Sequence, residues 1–156
     1  MRAWRIEVNK GDGHWNVLCL NLLSYLPGFR LIANYAYTDA EVTEDNSIPI
    51  GDRLVGVPEH SFSIWSTYEI QNGGLQGLGF GLGLVYASER EVALPNTFTV
   101  SSYLRTDAAI FYRRNNWNFR LNLKNLFNID YYDLDSGFAI FPREPFTALA
   151  TVAVEF

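Results

Sequence analysis

The sequence predicts an all-β protein whose antiparallel strands cross a membrane as part of a β-barrel. Three observations predict this class: apolar and polar residues alternate along several segments, aromatic residues make up 15% of the chain, and short turns alternate with long polar connections. Alternation places successive side chains on opposite faces of a strand, and aromatic residues favour strands. No stretch of the sequence approaches the ~20 consecutive apolar residues of a membrane-spanning helix.

Alternation with period two predicts about six strands. In the segment 117–124, one set of alternate residues is entirely apolar and the other is entirely polar. The other strands are predicted over 29–38, 62–70, 78–87, 104–113 and 146–156. Most of these segments are long enough for the ~9–11 tilted residues with which a strand crosses a bilayer.

The predicted strands are joined alternately by short and long connections. The segments 71–74 and 113–116 are rich in Gly and Asn, which accept the backbone angles of tight turns. The connections over 39–57, 88–99 and 130–144 are longer and polar. This order is typical of membrane barrels, which have short periplasmic turns and long extracellular loops. The chain is therefore predicted to end on the periplasmic side.

A soluble β-sandwich or a lipocalin-like barrel is the alternative, because antiparallel sheets with one wet face also alternate. Arg120 and Lys124 on the polar set of 117–124, and the glycines at 79, 81 and 83, suit a roomy lumen better than a packed core. Aromatic residues also recur near the strand ends, where the aromatic girdles of a membrane barrel lie. These features favour the membrane barrel.

Composition argues against several functional classes. The net charge of −5 leaves no basic surface for nucleic acid. The single cysteine, Cys19, excludes an internal disulfide and makes a cysteine metal site implausible. His14 and His60 have no Ser, Cys or Asp partner pattern for catalysis, and the acidic residues between 39 and 52 lack the spacing of an EF-hand. We predict no catalytic residue, no cofactor and no metal site, and the chain is not predicted to be an enzyme.

Four motifs occur in order along the chain: L-P-G-F followed by N-Y-A-Y-T-D-A over 26–40, P-E-H-S over 58–61, the strand over 103–113, and K-N-L-F-N-I-D-Y-Y over 124–132. Together they resemble the TonB-dependent siderophore receptors, the ferrichrome-receptor type in particular. The resemblance covers about residues 26–156. Residues 1–25 do not resemble the strand that these receptors place ahead of the L-P-G turn. We therefore divide the chain into an atypical N-terminal segment, 1–25, expected not to be native to the barrel, and a C-terminal barrel segment, 26–156.

The resemblance implies the C-terminal part of a barrel of about 22 strands around a plugged lumen in the bacterial outer membrane. The function that it implies is uptake of ferric siderophores. The implied partners are TonB, the ferric siderophore, outer-membrane lipid and the barrel assembly machinery, which recognises a C-terminal aromatic residue such as Phe156. Four charged residues would face the lumen, hydrated or in contact with plug or ligand: Arg105, Asp107, Arg120 and Lys124.

The plug and the TonB-contacting segment are absent from this sequence, so we expect that the chain does not transport alone. A sheet of about six strands with two bare edges is not viable in lipid, because every backbone group there must be paired. A truncated or split gene product is therefore expected, with an oligomer that shares one barrel as a further possibility. The alternative function is a small stand-alone or oligomeric outer-membrane barrel with a structural or adhesion role.

Overall fold

A computed structural model describes residues 2–10, 13–135 and 139–155. Within these ranges the chain forms strands and no helix, and so it has no helix long and apolar enough to cross a membrane. The strands are β1 (Arg2–Lys10), β2 (Gly13–Leu26), β3 (Phe29–Val42), β4 (His60–Glu69), β5 (Leu78–Ala87), β6 (Arg90–Glu91), β7 (Thr99–Val100), β8 (Tyr103–Arg114), β9 (Trp117–Lys124), β10 (Tyr132–Asp135), β11 (Ala139–Pro142) and β12 (Thr147–Val154).

Eight of the described strands form one antiparallel sheet in the order β1-β2-β3-β4-β5-β8-β9-β12. The short strands β6 and β7 pair with each other, as do β10 and β11. The predicted all-β, antiparallel fold class is confirmed. In the described residues β1 and β12 lie at opposite edges of the sheet and do not pair with each other. This arrangement does not favour a small stand-alone barrel.

The main sheet has eight strands where the alternation predicts about six, because residues 2–26 contribute β1 and β2. β2 pairs with β3 along its whole length, from Gly13 opposite Val42 to Leu26 opposite Phe29. The sequence did not predict β2 because the residues of both strand faces are largely apolar from Val17 to Leu23, so no alternation is visible there. The proposed boundary between residues 25 and 26 stays a prediction.

Short turns lie at one end of the sheet and long connections at the other. The turns over 27–28, 70–77 and 115–116 join β2 to β3, β4 to β5, and β8 to β9. At the opposite end lie the first long connection (43–59), the second (88–102) and the third (125–146). Glycine or asparagine occupies the left-handed backbone positions of the turns, including Gly28 at φ 74° and Asn115 at φ 52°.

One face of the main sheet, here called the apolar face, exposes large hydrophobic side chains. Phe80 is 47% exposed, Leu82 51%, Ile110 44% and Phe119 42%. These residues lie on adjacent strands, since Phe80 pairs with Ile110 and Tyr112, two residues further along β8, pairs with Phe119. A continuous exposed patch of this kind is unusual on a soluble monomer and typical of the lipid-facing band of a barrel.

The opposite face, here called the polar face, carries two aromatic rings that cover the glycines of β5. A Cβ added at Gly83 would lie 2.4 Å from Trp65, and one added at Gly79 would lie 2.2 Å from Phe111. Gly81 also lies beneath Trp65. The glycines that the sequence suggested for a roomy lumen are therefore covered by rings from β4 and β8, which no larger residue on β5 would allow.

Candidate functional site

Arg105 and Asp107 form an ion pair on the polar face of β8, near the long connections. Nε and Nη2 of Arg105 donate to the two carboxylate oxygens of Asp107 at 3.0 and 2.9 Å. Nη1 of Arg105 donates to the hydroxyl of Tyr131 at 3.0 Å. The two charged side chains are 20% and 15% exposed. Such a shielded bidentate pair is geometrically specific, and removing one partner leaves a shielded charge uncompensated.

Asp107 also anchors the start of the third long connection. Its Oδ1 accepts a hydrogen bond of 2.9 Å from the backbone N–H of Asn125, which is only 1% exposed. The Asn125 amide group donates to the carbonyl oxygens of Ile129 at 2.8 Å and Glu144 at 3.1 Å, and its oxygen accepts from the N–H of Ile129 at 2.9 Å. The N-L-F-N motif is therefore a tight turn whose first asparagine joins both ends of the connection to β8.

Two tyrosine rings, tilted by 44° to each other, and two guanidinium groups form a stack that includes Arg105. The ring centroids of Tyr103 and Tyr131 are 4.8 Å apart. The guanidinium of Arg105 lies 5.7 Å from the Tyr131 centroid, and that of Arg90 lies 5.5 Å from the Tyr103 centroid. Both distances are in the range of cation–π contacts. The stack connects β8 to the second long connection through Arg90 and to the third through Tyr131.

Arg90 joins the second long connection to the third. It is 6% exposed, and it donates to the carbonyl oxygen of Tyr132 at 2.8 Å and to the carboxylate of Asp133 at 3.3 Å. Its Nε has no hydrogen-bond partner among the described residues. Arg143 forms a second ion pair with Asp133. Arg90 thereby holds the hairpin of β10 and β11 against the second long connection, and Arg143, which follows β11, joins the two sides of the hairpin through the same carboxylate.

The charge of Asp133 is maintained by this arrangement. Partial burial would raise the pKa of Asp133. Hydrogen bonds from Arg143 and from the N–H of Leu134, together with the charges of Arg143 and Arg90, hold that pKa below its ordinary value of 3.8. A lowered pKa in the folded state contributes stability above the ordinary value, and this contribution is lost as the pH falls through the lowered pKa.

We therefore expect the hairpin of β10 and β11 to stay docked at pH 7 and to loosen only below pH 3.8, the ordinary value for Asp133. Hydrogen-exchange protection factors of residues 131–143, corrected for the pH dependence of intrinsic exchange, measure this. Asp133→Asn should show reduced protection already at pH 7 and little further change on acidification. Equal protection of the variant and the parent at pH 7 would contradict the assignment.

The first long connection is tied to the second. Asn96 accepts a hydrogen bond from the N–H of Arg53 at 2.7 Å and donates to the carbonyl oxygen of Arg53 at 2.9 Å. The N–H of Asn96 donates to Asp52 at 2.9 Å, and the N–H of Gly56 donates to the carbonyl oxygen of Glu91 at 2.9 Å. The long connections are therefore one connected assembly at this end of the sheet.

The four charged residues predicted for the lumen lie on the polar face, but they are not one cluster. Arg105 and Asp107 are in direct contact. Lys124 reaches the third long connection, where its Nζ lies 3.8 Å from Oε2 of Glu144, with both side chains 53% exposed. Arg120 pairs in register with Phe111, closer to the short turns. That these residues face a lumen stays a prediction, and Phe156 lies outside the described residues.

The sequence did not identify Arg90, Asn125 and Tyr131 as site residues. Asn125 and Tyr131 belong to the K-N-L-F-N-I-D-Y-Y motif, so the motif was visible but the role of each residue was not. A buried arginine such as Arg90 carries no local signal, because its partners lie 42 and 43 residues away.

His60 has closer neighbours than the sequence suggested. Its Nδ1 lies 2.9 Å from the hydroxyl of Tyr35, and its Nε2 lies 3.8 Å from Oε1 of Glu59. The ring of Tyr37 is 5.2 Å away. The cluster lies at the long-connection end of β3 and β4. Among the described residues no group of three His, Cys, Asp or Glu side chains is arranged to hold a metal ion.

Comparison with known proteins identifies the family. The family model described as TonB dependent receptor-like, beta-barrel, matches residues 2–126. The chain belongs to this family. The resemblance found in the sequence motifs is therefore confirmed.

Relatives in the family are receptors and transporters. A metal-pseudopaline receptor of Pseudomonas aeruginosa is 37% identical over 119 residues, which are 74% of this chain and 17% of the relative. The ferrichrome outer membrane transporter/phage receptor of Escherichia coli K12 is 34% identical over 107 residues, 65% of this chain and 14% of the relative. The chain thus spans about a sixth of the length of the first relative and about a seventh of the second.

Solved structures agree with this assignment. The siderophore receptor PiuA of Acinetobacter baumannii superimposes with a TM-score of 0.78 at 25% identity, over 91% of this chain and 22% of that one. The ferric-catecholate import receptor Fiu of Escherichia coli K12 superimposes with a TM-score of 0.77 at 26% identity, over 92% of this chain and 21% of that one. The fold of the chain is therefore that of a segment of a TonB-dependent receptor barrel.

Proposed function

We propose that the chain forms the C-terminal part of the wall of an outer-membrane receptor that takes up ferric siderophores with energy supplied through TonB. The proposal rests on family membership together with one structural observation. A single sheet carries an exposed apolar face on one side and, on the other, the charged residues Arg105 and Asp107 next to long connections. That combination suits a barrel wall between lipid and a polar lumen.

We assign Arg105, Asp107, Arg120 and Lys124 to the lumen side of this wall. Lys124, which is 53% exposed, provides a cationic group next to the long connections, whereas Arg90 and Arg105 are held in ion pairs with Asp133 and Asp107. Cationic side chains bind anionic oxygen atoms, and ferric chelates of siderophores present such atoms. This part of the polar face is therefore the proposed ligand-facing region of the chain.

The remaining partners follow from the same proposal. The apolar face contacts outer-membrane lipid, TonB acts on the complete receptor, and Phe156 is the proposed signal for the barrel assembly machinery. We assign no enzymatic activity, since the relatives are named as receptors and transporters. A chain that corresponds to about a sixth of such a receptor is not expected to transport alone.

The test is uptake by the complete gene product that carries this chain, produced in Escherichia coli lacking its own siderophore receptors. We expect uptake of radioactive iron from at least one member of a panel of ferric siderophores, and loss of uptake when TonB is deleted. Uptake that persists without TonB, or failure with every chelate despite normal amounts in the outer membrane, would overturn the proposal.

A further inference from the structure

At the short-turn end of the apolar face, Arg114 lies beside Tyr112 and Trp117, and these three residues are here called the Arg114 cluster. Nη1 of Arg114 donates a hydrogen bond of 3.1 Å to the hydroxyl of Tyr112. Trp117 is opposite Arg114 in the register of β8 and β9, and its ring stacks on that of Phe119, with the centroids 5.7 Å apart. Trp117 is 48% exposed and Phe119 is 42% exposed. The cluster therefore borders the exposed apolar surface.

The positive charge of Arg114 is not neutralised within the part of the chain that the structure describes. The Tyr112 hydroxyl is the hydrogen-bond partner of Arg114 there, and no carboxylate of these residues lies within ion-pair distance of its guanidinium. Arg113, one residue earlier on β8, lies on the polar face, because successive side chains of a strand alternate. It pairs there with Glu69 at 3.2 Å. Of these two adjacent arginines, only the one on the apolar face is left to bind an external anion.

Next to the cluster, the apolar face offers a surface for hydrocarbon. Ile110 lies four residues before Arg114 on β8, which corresponds to about 13 Å along the strand. It pairs with Phe80 on one side and with Leu121 on the other, and all three side chains are more than a third exposed. Arginine, tyrosine and tryptophan are the residues that place a polar group at the boundary of a membrane and an apolar stem within it. This arrangement matches an amphiphile with an anionic headgroup and acyl chains.

Charge distinguishes between phospholipid headgroups at this position. A guanidinium forms strong, directional pairs with phosphate oxygens, and every phospholipid provides a phosphate. Phosphatidylethanolamine also carries an ammonium group, for which the described residues provide no carboxylate at the cluster. Phosphatidylglycerol has the same phosphate and no cation, so its net negative charge complements Arg114. The indole N–H of Trp117 is a further donor for headgroup oxygens.

We propose that the Arg114 cluster binds one anionic phospholipid, with the phosphate on the Arg114 guanidinium and the acyl chains on Ile110 and Phe119. The proposal rests on the proposed function only for the position of the apolar face in the membrane. The short turns of a membrane barrel lie on the periplasmic side, and the leaflet of the outer membrane on that side is built of phospholipids. The bound lipid differs from the bulk lipid around the barrel in its selectivity and its stoichiometry.

Native mass spectrometry of the complete gene product that carries this chain tests the proposal. The protein, purified in mild detergent, is mixed separately with phosphatidylglycerol and with phosphatidylethanolamine of the same acyl chains. We expect the parent to retain one phosphatidylglycerol, and to retain phosphatidylethanolamine about fivefold less. Arg114→Gln should lower the retention of phosphatidylglycerol by about fivefold or more, because the charged partner of the phosphate is lost.

Arg113→Gln is the matched control, since it removes the adjacent arginine from the polar face with the same change of charge. This variant should retain phosphatidylglycerol as the parent does, and heat-modifiable mobility on gels verifies that each protein compared is a folded barrel. Equal retention of the two lipids by the parent, which needs no variant, would overturn the proposal. Unchanged retention in Arg114→Gln, or an equal loss in Arg113→Gln, would also overturn it.

Siderophore uptake is measured separately on the parent, so the two proposals fail independently. Selective retention of phosphatidylglycerol that depends on Arg114, without uptake, contradicts the transport proposal alone. Uptake without selective retention contradicts the lipid site alone.

Discussion

Asn125→Ala is expected to detach the third long connection from β8 and to lower the free energy of unfolding by about 3 kcal/mol or more. The substitution removes the side-chain amide that forms hydrogen bonds with the N–H and the carbonyl oxygen of Ile129 and with the carbonyl oxygen of Glu144. Asn125 is only 1% exposed. Each buried polar group left without a partner costs about 1–3 kcal/mol. The neighbouring anchor from Asp107 to the Asn125 N–H would be strained as the turn opens.

The matched control for this variant is Asn115→Ala. Asn115 has φ 52° and Asn125 has φ 51°, so both substitutions place alanine in the left-handed region. No side-chain hydrogen bond of Asn115 is found among the described residues, and the control should cost only about 1–2 kcal/mol for the backbone conformation. Urea unfolding in detergent and protease sensitivity of residues 125–146 give the comparison. Equal losses in the two variants would mean that the Asn125 hydrogen bonds contribute nothing.

Gly77→Ala is expected to cost about 3 kcal/mol or more and to disturb the pairing of β5 with β8. Gly77 has φ 88°, and a Cβ at this position would lie 2.0 Å from the backbone oxygen of Arg113. The Gly77 carbonyl oxygen also accepts a hydrogen bond of 2.9 Å from the Arg113 N–H. Backbone atoms cannot move aside as a flexible side chain can, so overpacking of about 1–3 kcal/mol adds to the conformational penalty.

Gly73→Ala measures the conformational penalty without the overpacking. Gly73 has φ 85°, but no atom lies within 4 Å of an added Cβ. This variant should lower the free energy of unfolding only by the backbone penalty of about 1–2 kcal/mol. The yield of folded barrel, read from heat-modifiable mobility on gels, and the urea midpoint test the difference. If Gly77→Ala were as stable as Gly73→Ala, the close packing of the turn against Arg113 would be refuted.

Together these variants probe the two ends of the sheet. Asn125 organises the long connections, which the sequence pattern predicts on the extracellular side, and Gly77 lies in a short turn at the opposite end. We expect Asn125→Ala to change the exposure of the third long connection with little effect on strand pairing. Gly77→Ala should reduce the pairing itself, so the two defects are distinguishable.

The sequence by itself determined the strands of the main sheet from residue 29 onwards, the alternation of turns and long connections, and the family. These features are local: a strand exposes alternate residues to opposite surroundings, so a face in contact with lipid and a face in contact with water leave a period of two in the sequence. The segment 117–124 is the clearest case. Where both alternate sets are apolar, as in β2, the period disappears and the strand was not predicted.

Tertiary structure alone decided which polar residues meet. Arg53 contacts Asn96, 43 residues away, and Arg105 contacts Tyr131, 26 residues away. Such contacts depend on strand register and on the path of the connections, which no local pattern encodes. The contacts of the β5 glycines also depend on strand pairing, because the space next to these glycines is filled by Trp65 and Phe111 from neighbouring strands. The alternation of apolar and polar residues determines on which face of the sheet a side chain lies. Only the pairing of distant strands determines its neighbours on that face.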